Sequence, residues 1–251
     1  RKLRLGQVQD DTRQLQTRLN DARSELSKAR GRLSSLEALQ HAALGQEKGG
    51  AQAWLAKIGL GDGKRLGEVL KVDEGFERAV EVVLGAWLEA ALTESPDAVL
   101  PDLDSLGDHN VVLLADTAGA RRPGTLAGHV DGPEAALALL AQVRVVETLA
   151  DARALHGTLG PTESVITRQG DWLGRDWVRI SRAKEAHSGV LAREREIEIL
   201  GTRIAALDHE IELLLARQEE LKQQNFEAER ARDDAQRDLY FAHRQLSEVS
   251  G

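Results

Sequence analysis

The chain has 251 residues, a formal net charge of −8, 29 % charged and 3 % aromatic residues, and no cysteine. Lack of cysteine excludes a disulfide framework and a thiolate metal site, and points to a reducing compartment. No apolar run approaches the ~20 residues of a membrane-spanning helix, and no secretory leader is expected.

The first predicted element is a coiled-coil helix over residues 1–45. Leu5, Val8, Thr12, Leu15, Leu19, Ala22, Leu26, Ala29, Leu33 and Leu36 recur at alternating steps of three and four. Such a seam keeps one stripe facing a partner helix. The same stepping returns over 191–251, from Ile197, Leu200, Ile204, Leu207, Ile211 and Leu214 through Gln218, Leu221, Asn225 and Ala228 to Arg232, Ala235, Leu239, Ala242, Leu246 and Val249. All five prolines and 18 of 23 glycines lie within 46–190. Because proline breaks helices and glycine weakens them, that window marks a globular domain between two arms. The first heptad begins at once, without an initiating methionine, and the chain reads as an internal piece of a longer protein.

Charge suggests how the arms pair. Residues 1–45 carry nine Lys/Arg against five Asp/Glu, and residues 191–251 carry nine against fourteen. A basic and an acidic helix favour each other over their own copies, and two helices leaving one body pair antiparallel within the chain. A parallel homodimer of each helix is the competing arrangement. At 1.5 Å per residue the arms span roughly 65 Å and 90 Å, which leaves the last ~15 residues unmatched. Gln218, Asn225 and Arg232, polar residues at seam positions, either set register or mark fraying.

The middle predicts alternating strands and helices. In order these are a strand at Leu66–Val72, a helix from Gly75 to Trp87, a strand at Leu88–Leu92, a helix over Ala98–Leu106 and a buried strand at Val111–Ala115. After a loop at Arg121–Gly124 come a helix at Glu134–Gln142, a strand at Val143–Val146, a helix at Leu149–His156, and strands at Ser164–Thr167 and Trp177–Ile180. Recurrence of this alternation on both sides of the loop predicts two similar half-domains in an α+β fold.

Two stretches carry a family resemblance. Gly67-Glu68-Val69-Leu70-Lys71-Val72-Asp73-Glu74-Gly75-Phe76-Glu77-Arg78-Ala79-Val80-Glu81-Val82-Val83-Leu84-Gly85, preceded by Trp54-Leu55, resembles the opening of the hinge domain of the structural maintenance of chromosomes (SMC) family. Val165-Ile166-Thr167-Arg168-Gln169-Gly170-Asp171-Trp172, and Ser188-Gly189-Val190-Leu191-Ala192-Arg193 leading into the heptads, is similar to that family's hinge exit. With its arms the chain resembles a bacterial, condensin-type and proteobacterial member. The resemblance implies a hinge at the end of a long antiparallel coiled coil, binding a second copy of itself and DNA. It implies an ATPase head and accessory subunits at regions outside this chain, and a cytoplasmic, nucleoid-associated location. Many relatives carry paired glycines after the turn at Gly170-Asp171, whereas here only Gly174 precedes Trp177. Absence of Cys-x-x-Cys excludes the zinc-hook rods of related repair proteins.

No catalytic, cofactor or metal residue is expected. Gly59-Leu60-Gly61-Asp62-Gly63-Lys64-Arg65 fails as a phosphate loop, since Ile58 replaces its first glycine and Arg65 its Ser or Thr. Asp102 and Asp104 open like a calcium loop, but Leu106 and Leu113 occupy ligand positions. His209-Glu210 has Leu213 where a zinc-protease motif has its second histidine. A small enzymatic or ligand-binding α/β domain displayed on a coiled coil is the rival reading, and would need a deep polar pocket.

The candidate DNA-binding residues are Lys48, Arg121, Arg122, Arg175, Arg179, Arg182 and Lys184. Clustered cations bind phosphates without reading sequence. Solvated surface charge, or an edge strand guarded by Arg175 and Arg179, accounts for the same residues. The candidate dimer interface is edge-strand pairing through Val111, Val112, Leu113, Leu114, Gly170, Gly174, Trp177, Val178 and Ile180.

Overall fold

The computed structural model describes residues 2–46, 49–181 and 187–249, and forms two compact units. One comprises residues 1–34 with 199–251, the other residues 35–198. Helix α1 (Lys2–Ala43) and helix α7 (Val190–Val249) each contribute to both units.

In the first unit α1 and α7 run antiparallel and pack along the heptad seam. Leu15, Leu19, Ala22, Leu214 and Leu221 form its buried cluster, with Val8 and Ile211 partly buried against it. Cross-helix ion pairs Arg30–Asp208 (2.9 Å) and Arg203–Glu25 (2.6 Å) flank the seam, as the opposite charges of the arms anticipate. The helices therefore pair within one chain. Gln218, polar at a seam position, donates to Gln16 on α1 at 2.8 Å, a contact that fits register-setting. Farther out, residues 236–245 of α7 are exposed on every face, including the seam position Leu239.

The second unit contains α2 (Gly50–Lys57), α3 (Leu66–Val69), β1 (Lys71–Val72), α4 (Glu77–Leu84), β2 (Ala91–Thr93), β3 (Leu113–Ala115), β4 (Val130–Asp131), α5 (Glu134–Leu140), β5 (Val143–Val146), α6 (Leu149–His156), β6 (Ser164–Thr167), β7 (Asp171–Gly174) and β8 (Trp177–Ile180). Three 3-10 segments cover Gly85–Glu89, Pro96–Ser105 and Leu126–His129. Strands β2 and β3 pair parallel across the Pro96–Ser105 segment, and β5 and β6 pair parallel across α6. Each half thus holds one parallel strand pair joined by a helical crossover. The second half extends its pair with antiparallel β7 and β8 into a four-stranded sheet, while β1 and β4 pair antiparallel between the halves.

One core runs through both halves. It joins Leu66, Leu70, Phe76, Val80 and Leu84 to Leu126, Val130, Leu137, Leu140 and Ile166, and takes in Leu44, Val190 and Leu191 at the roots of α1 and α7. Smaller clusters gather around Trp54, Leu55 and Val99, and around Ala152, Val165 and Leu173.

The expected strand at Leu66–Val72 is instead a helical turn followed by a two-residue strand. Leu66 and Leu70 are both buried, a spacing of four, and Glu68 accepts the Arg65 amide at 2.5 Å to close the turn. The expected helix to Trp87 stops at Leu84 because Gly85 turns out at φ +50°, a region that disfavours residues with a Cβ. The expected helix over 98–106 is a 3-10 run containing Pro101.

Candidate functional site

Strand β8 forms one edge of the four-stranded sheet, paired through β7 with Trp172 opposite Arg179 and Leu173 opposite Val178. All four residues of β8 are exposed, which is unusual for an apolar strand: Val178 is 59 % and Ile180 44 % exposed. Side chains alternate along a strand, so Val178 and Ile180 share a face and Trp177 and Arg179 share the other. On the first face, Val178 and Ile180 border a groove completed by Leu149, Arg153, His156 and Leu173.

The other face is occupied from within the chain. The Trp177 indole lies directly over Gly174, where any Cβ would collide with it. Trp177 also meets Trp172 edge-on at 4.9 Å, and the Arg179 guanidinium donates to the Val82 carbonyl at 3.1 Å. Gly170, at φ +88°, lies in the turn between β6 and β7, and a Cβ there would come within 2.9 Å of Val82. Both glycines are therefore explained by contacts inside the chain.

Strand β3 offers a second edge. The Ala91 amide donates to the Val112 carbonyl (2.9 Å) and the Asp116 amide to the Thr93 carbonyl (2.8 Å), so the even-numbered backbone groups face β2. The peptide groups of Leu113 and Ala115 then point to the opposite edge. The side chains are already committed: Val112 and Leu114 pack into the main core, and Val111 and Leu113 against the Trp54 cluster. What β3 offers a partner is backbone, and what β8 offers is backbone plus apolar side chains.

The cations divide. Lys48, Arg182 and Lys184 lie outside the described residues. Arg175 is exposed in the β7–β8 turn. Arg121 is clamped by Asp73 (3.0 Å) and Asp131 (2.6 Å), and Arg122 is paired with Glu134. Hydrogen bonds to Asp131 and Asp73 push the Arg121 pKa up, and the same bond from Arg121 holds Asp131 below the usual carboxylate range. His129 bonds Asp73 at 3.2 Å and stacks on Phe76, whose ring Arg168 covers at 4.5 Å. Sequence reasoning missed this cluster, since Arg121 and Asp73 are 48 residues apart.

Among the described residues no group of three or more His, Cys, Asp or Glu could hold a metal ion, and no helix is long and apolar enough to cross a membrane.

Comparison with known proteins places this arrangement. Residues 60–156 match the model of the SMC proteins Flexible Hinge Domain. The chain is 43 % identical over 164 residues to the Chromosome partition protein Smc of Xanthomonas oryzae pv. oryzae, an alignment covering 64 % of this chain and 14 % of that protein. Identity to the protein of that name from Coxiella burnetii is 36 % over 176 residues (68 % and 15 % covered), and to that from Methylococcus capsulatus 35 % over 210 (82 % and 18 %). The chain thus spans less than a fifth of the length of these relatives. Its fold is similar to an SMC hinge domain of Geobacillus stearothermophilus, with TM-score 0.65 and 22 % identity over 87 % of this chain and 98 % of that one. The α+β body with its two long helices, the hinge-domain match and the relatives agree: the chain belongs to the SMC family, as a hinge segment with coiled-coil arms.

Proposed function

We propose that the chain is the dimerisation hinge of a chromosome-organising SMC ATPase, joining two subunits so that they hold DNA during chromosome condensation and segregation. Residues 46–190 are the dimerising module, and 1–45 and 191–251 are the arms. The single observation that carries this reading is β8, an edge strand with exposed Val178 and Ile180 beside an apolar groove. Exposed edges of this kind are templates for another strand. The open β3 edge supplies the complement, and a two-fold axis pairs β8 of each protomer with β3 of the other. The similar Geobacillus stearothermophilus hinge is itself described as a dimer, an asymmetric one, which supports self-association but not the two-fold axis.

Fully burying a Val or Ile side chain stabilises by about 1.5–3 kcal/mol. With roughly half of each already covered, the remainder is worth about 1 kcal/mol, or about 4 kcal/mol over the four copies in a symmetric pair. The double substitution Val178→Asp, Ile180→Asp is expected to raise the dimer dissociation constant about a thousandfold. Unchanged self-association by sedimentation would refute the assignment.

DNA contact is weak, sequence-independent and centred on Arg175, Arg179, Lys48, Arg182 and Lys184 near the hinge–coil junction. Arg121 and Arg122 contribute less, since Asp73, Asp131 and Glu134 offset their charge. Changing Arg182 and Lys184 to Glu is expected to weaken DNA binding at low salt without altering the dimer, and equal affinity would reject that assignment. ATP hydrolysis and accessory-subunit binding belong to other regions of such a protein, in the bacterial cytoplasm at the nucleoid.

A further inference from the structure

Helix α4 carries two polar side chains three residues apart, hence on one face, that grip different parts of the second unit. Glu81 is 4 % exposed. Its carboxylate accepts the Gly189 amide at 2.9 Å and the Leu191 amide at 3.0 Å. These amides sit at the start of α7, where backbone donors have no partner inside the helix. Arg78 reaches the other way, donating to the Ser181 carbonyl (3.0 Å) and hydroxyl (2.9 Å) just after β8. Its second nitrogen bonds the Ser188 hydroxyl at 3.2 Å, beside the Glu81 contacts. From β8, Arg179 returns a bond to the Val82 carbonyl of α4. Gln40 of α1, 2 % exposed, completes the junction by donating to the Val190 carbonyl (2.9 Å) and accepting from Arg193 (3.1 Å).

Apolar packing alone tolerates sliding, whereas buried charge-assisted hydrogen bonds fix direction and are costly to leave unmade. From this geometry we infer that Arg78 and Glu81 are positioning residues for self-association: through α4 they couple the first turn of α7 to β8, so that displacing either is transmitted to the other. The inference rests on reading β8 as the dimer edge.

The test is amide-resolved hydrogen exchange on the whole chain and on Glu81→Ala, Glu81→Gln and Arg78→Lys. Proteins are compared at concentrations where sedimentation gives them the same state of association. Glu81→Ala is expected to speed exchange about tenfold or more at Gly189 and Leu191, the scale of a lost charge-assisted bond, and to speed the β7–β8 amides with them. Glu81→Gln does both to a smaller extent. Because coupling is reciprocal, Arg78→Lys, altered at Ser181 and Ser188, must also speed Leu191, three residues beyond the nearer of those partners. The β5–β6 ladder is expected to stay unchanged. Effects confined to each side chain's own partners would overturn the coupling, as would an equal rise through β5–β6. Should Glu81→Ala fail to fold, the two conservative variants carry the same comparison. A monomeric wild type would remove the dimer reading, while the exchange pattern, read within one chain, still decides the coupling.

Discussion

Adjacent leucines on α7 give a sharp test of the coiled-coil register. Leu214 is 8 % exposed and packs with Leu15, Leu19 and Ala22, whereas Leu213 is 59 % exposed. Leu→Ala at a buried site costs about 2–5 kcal/mol, set by lost transfer energy and by the cavity that remains. A two-helix seam lets water reach part of that cavity, so about 2 kcal/mol, the lower end, is expected for Leu214→Ala. Leu213→Ala loses little burial and gains helix propensity, and is expected to fall within about 0.5 kcal/mol of wild type. Leu19→Ala combined with Leu214→Ala should be non-additive by about 0.5 kcal/mol or more, since the two side chains share one cluster. Urea unfolding followed by far-UV circular dichroism gives all four values. Equal losses at 213 and 214, or strict additivity of Leu19 with Leu214, would refute the antiparallel register within one chain.

Other consequences follow from the same packing. A Cβ on Gly67 would come within 2.9 Å of both Leu44 and Val190, each fully buried, so Gly67→Ala should destabilise by about 1–3 kcal/mol. Gly201 on α7 meets nothing within 4 Å, and Gly201→Ala should stabilise by about 0.5–1 kcal/mol; the reverse order in thermal melts would contradict the packing. Burial raises the Glu81 pKa despite two amide hydrogen bonds, so across the window from the ordinary carboxylate value up to the raised one the folded chain binds more protons than the unfolded chain. Stability contributed there is present at low pH and lost as pH rises through the window. The stability of wild type relative to Glu81→Gln should therefore increase as pH falls, and a flat or opposite difference in urea midpoints would show the assignment wrong. Arg175→Ala should lower DNA affinity and flatten its salt dependence more than Arg121→Ala, because Asp73 and Asp131 already hold Arg121.

Much of the architecture is legible in the sequence because its signals are local. Of the heptad positions, Leu15, Leu19, Ala22, Leu26, Leu36, Leu207, Leu214 and Leu221 are buried. Strands β5, β6 and β8 and helix α6 begin and end where apolar runs and turn residues put them. The turn at Leu66–Val69 misleads because a short apolar stretch fits a period of two or four, and only burial of Leu66 with Leu70 decides. Strand β7 is hidden in a glycine-bounded segment whose pairing with β6 comes from tertiary contact. The polar junction is invisible for a different reason. Glu81 meets the α7 amides from 108 and 110 residues away, and Gln40 meets Val190 from 150, distances at which no periodicity carries information. Charge counting gives the sign of the arms, but counts Arg121 and Arg175 alike, although one is clamped and the other exposed.

Sedimentation equilibrium of the chain over about 1–100 micromolar, a span that brackets moderate self-association, reads dimerisation of the hinge without any intermediary. A dimerising hinge gives a concentration-dependent shift to twice the 27.4 kDa chain mass, complete by tens of micromolar. A single monomeric species throughout that range would contradict it.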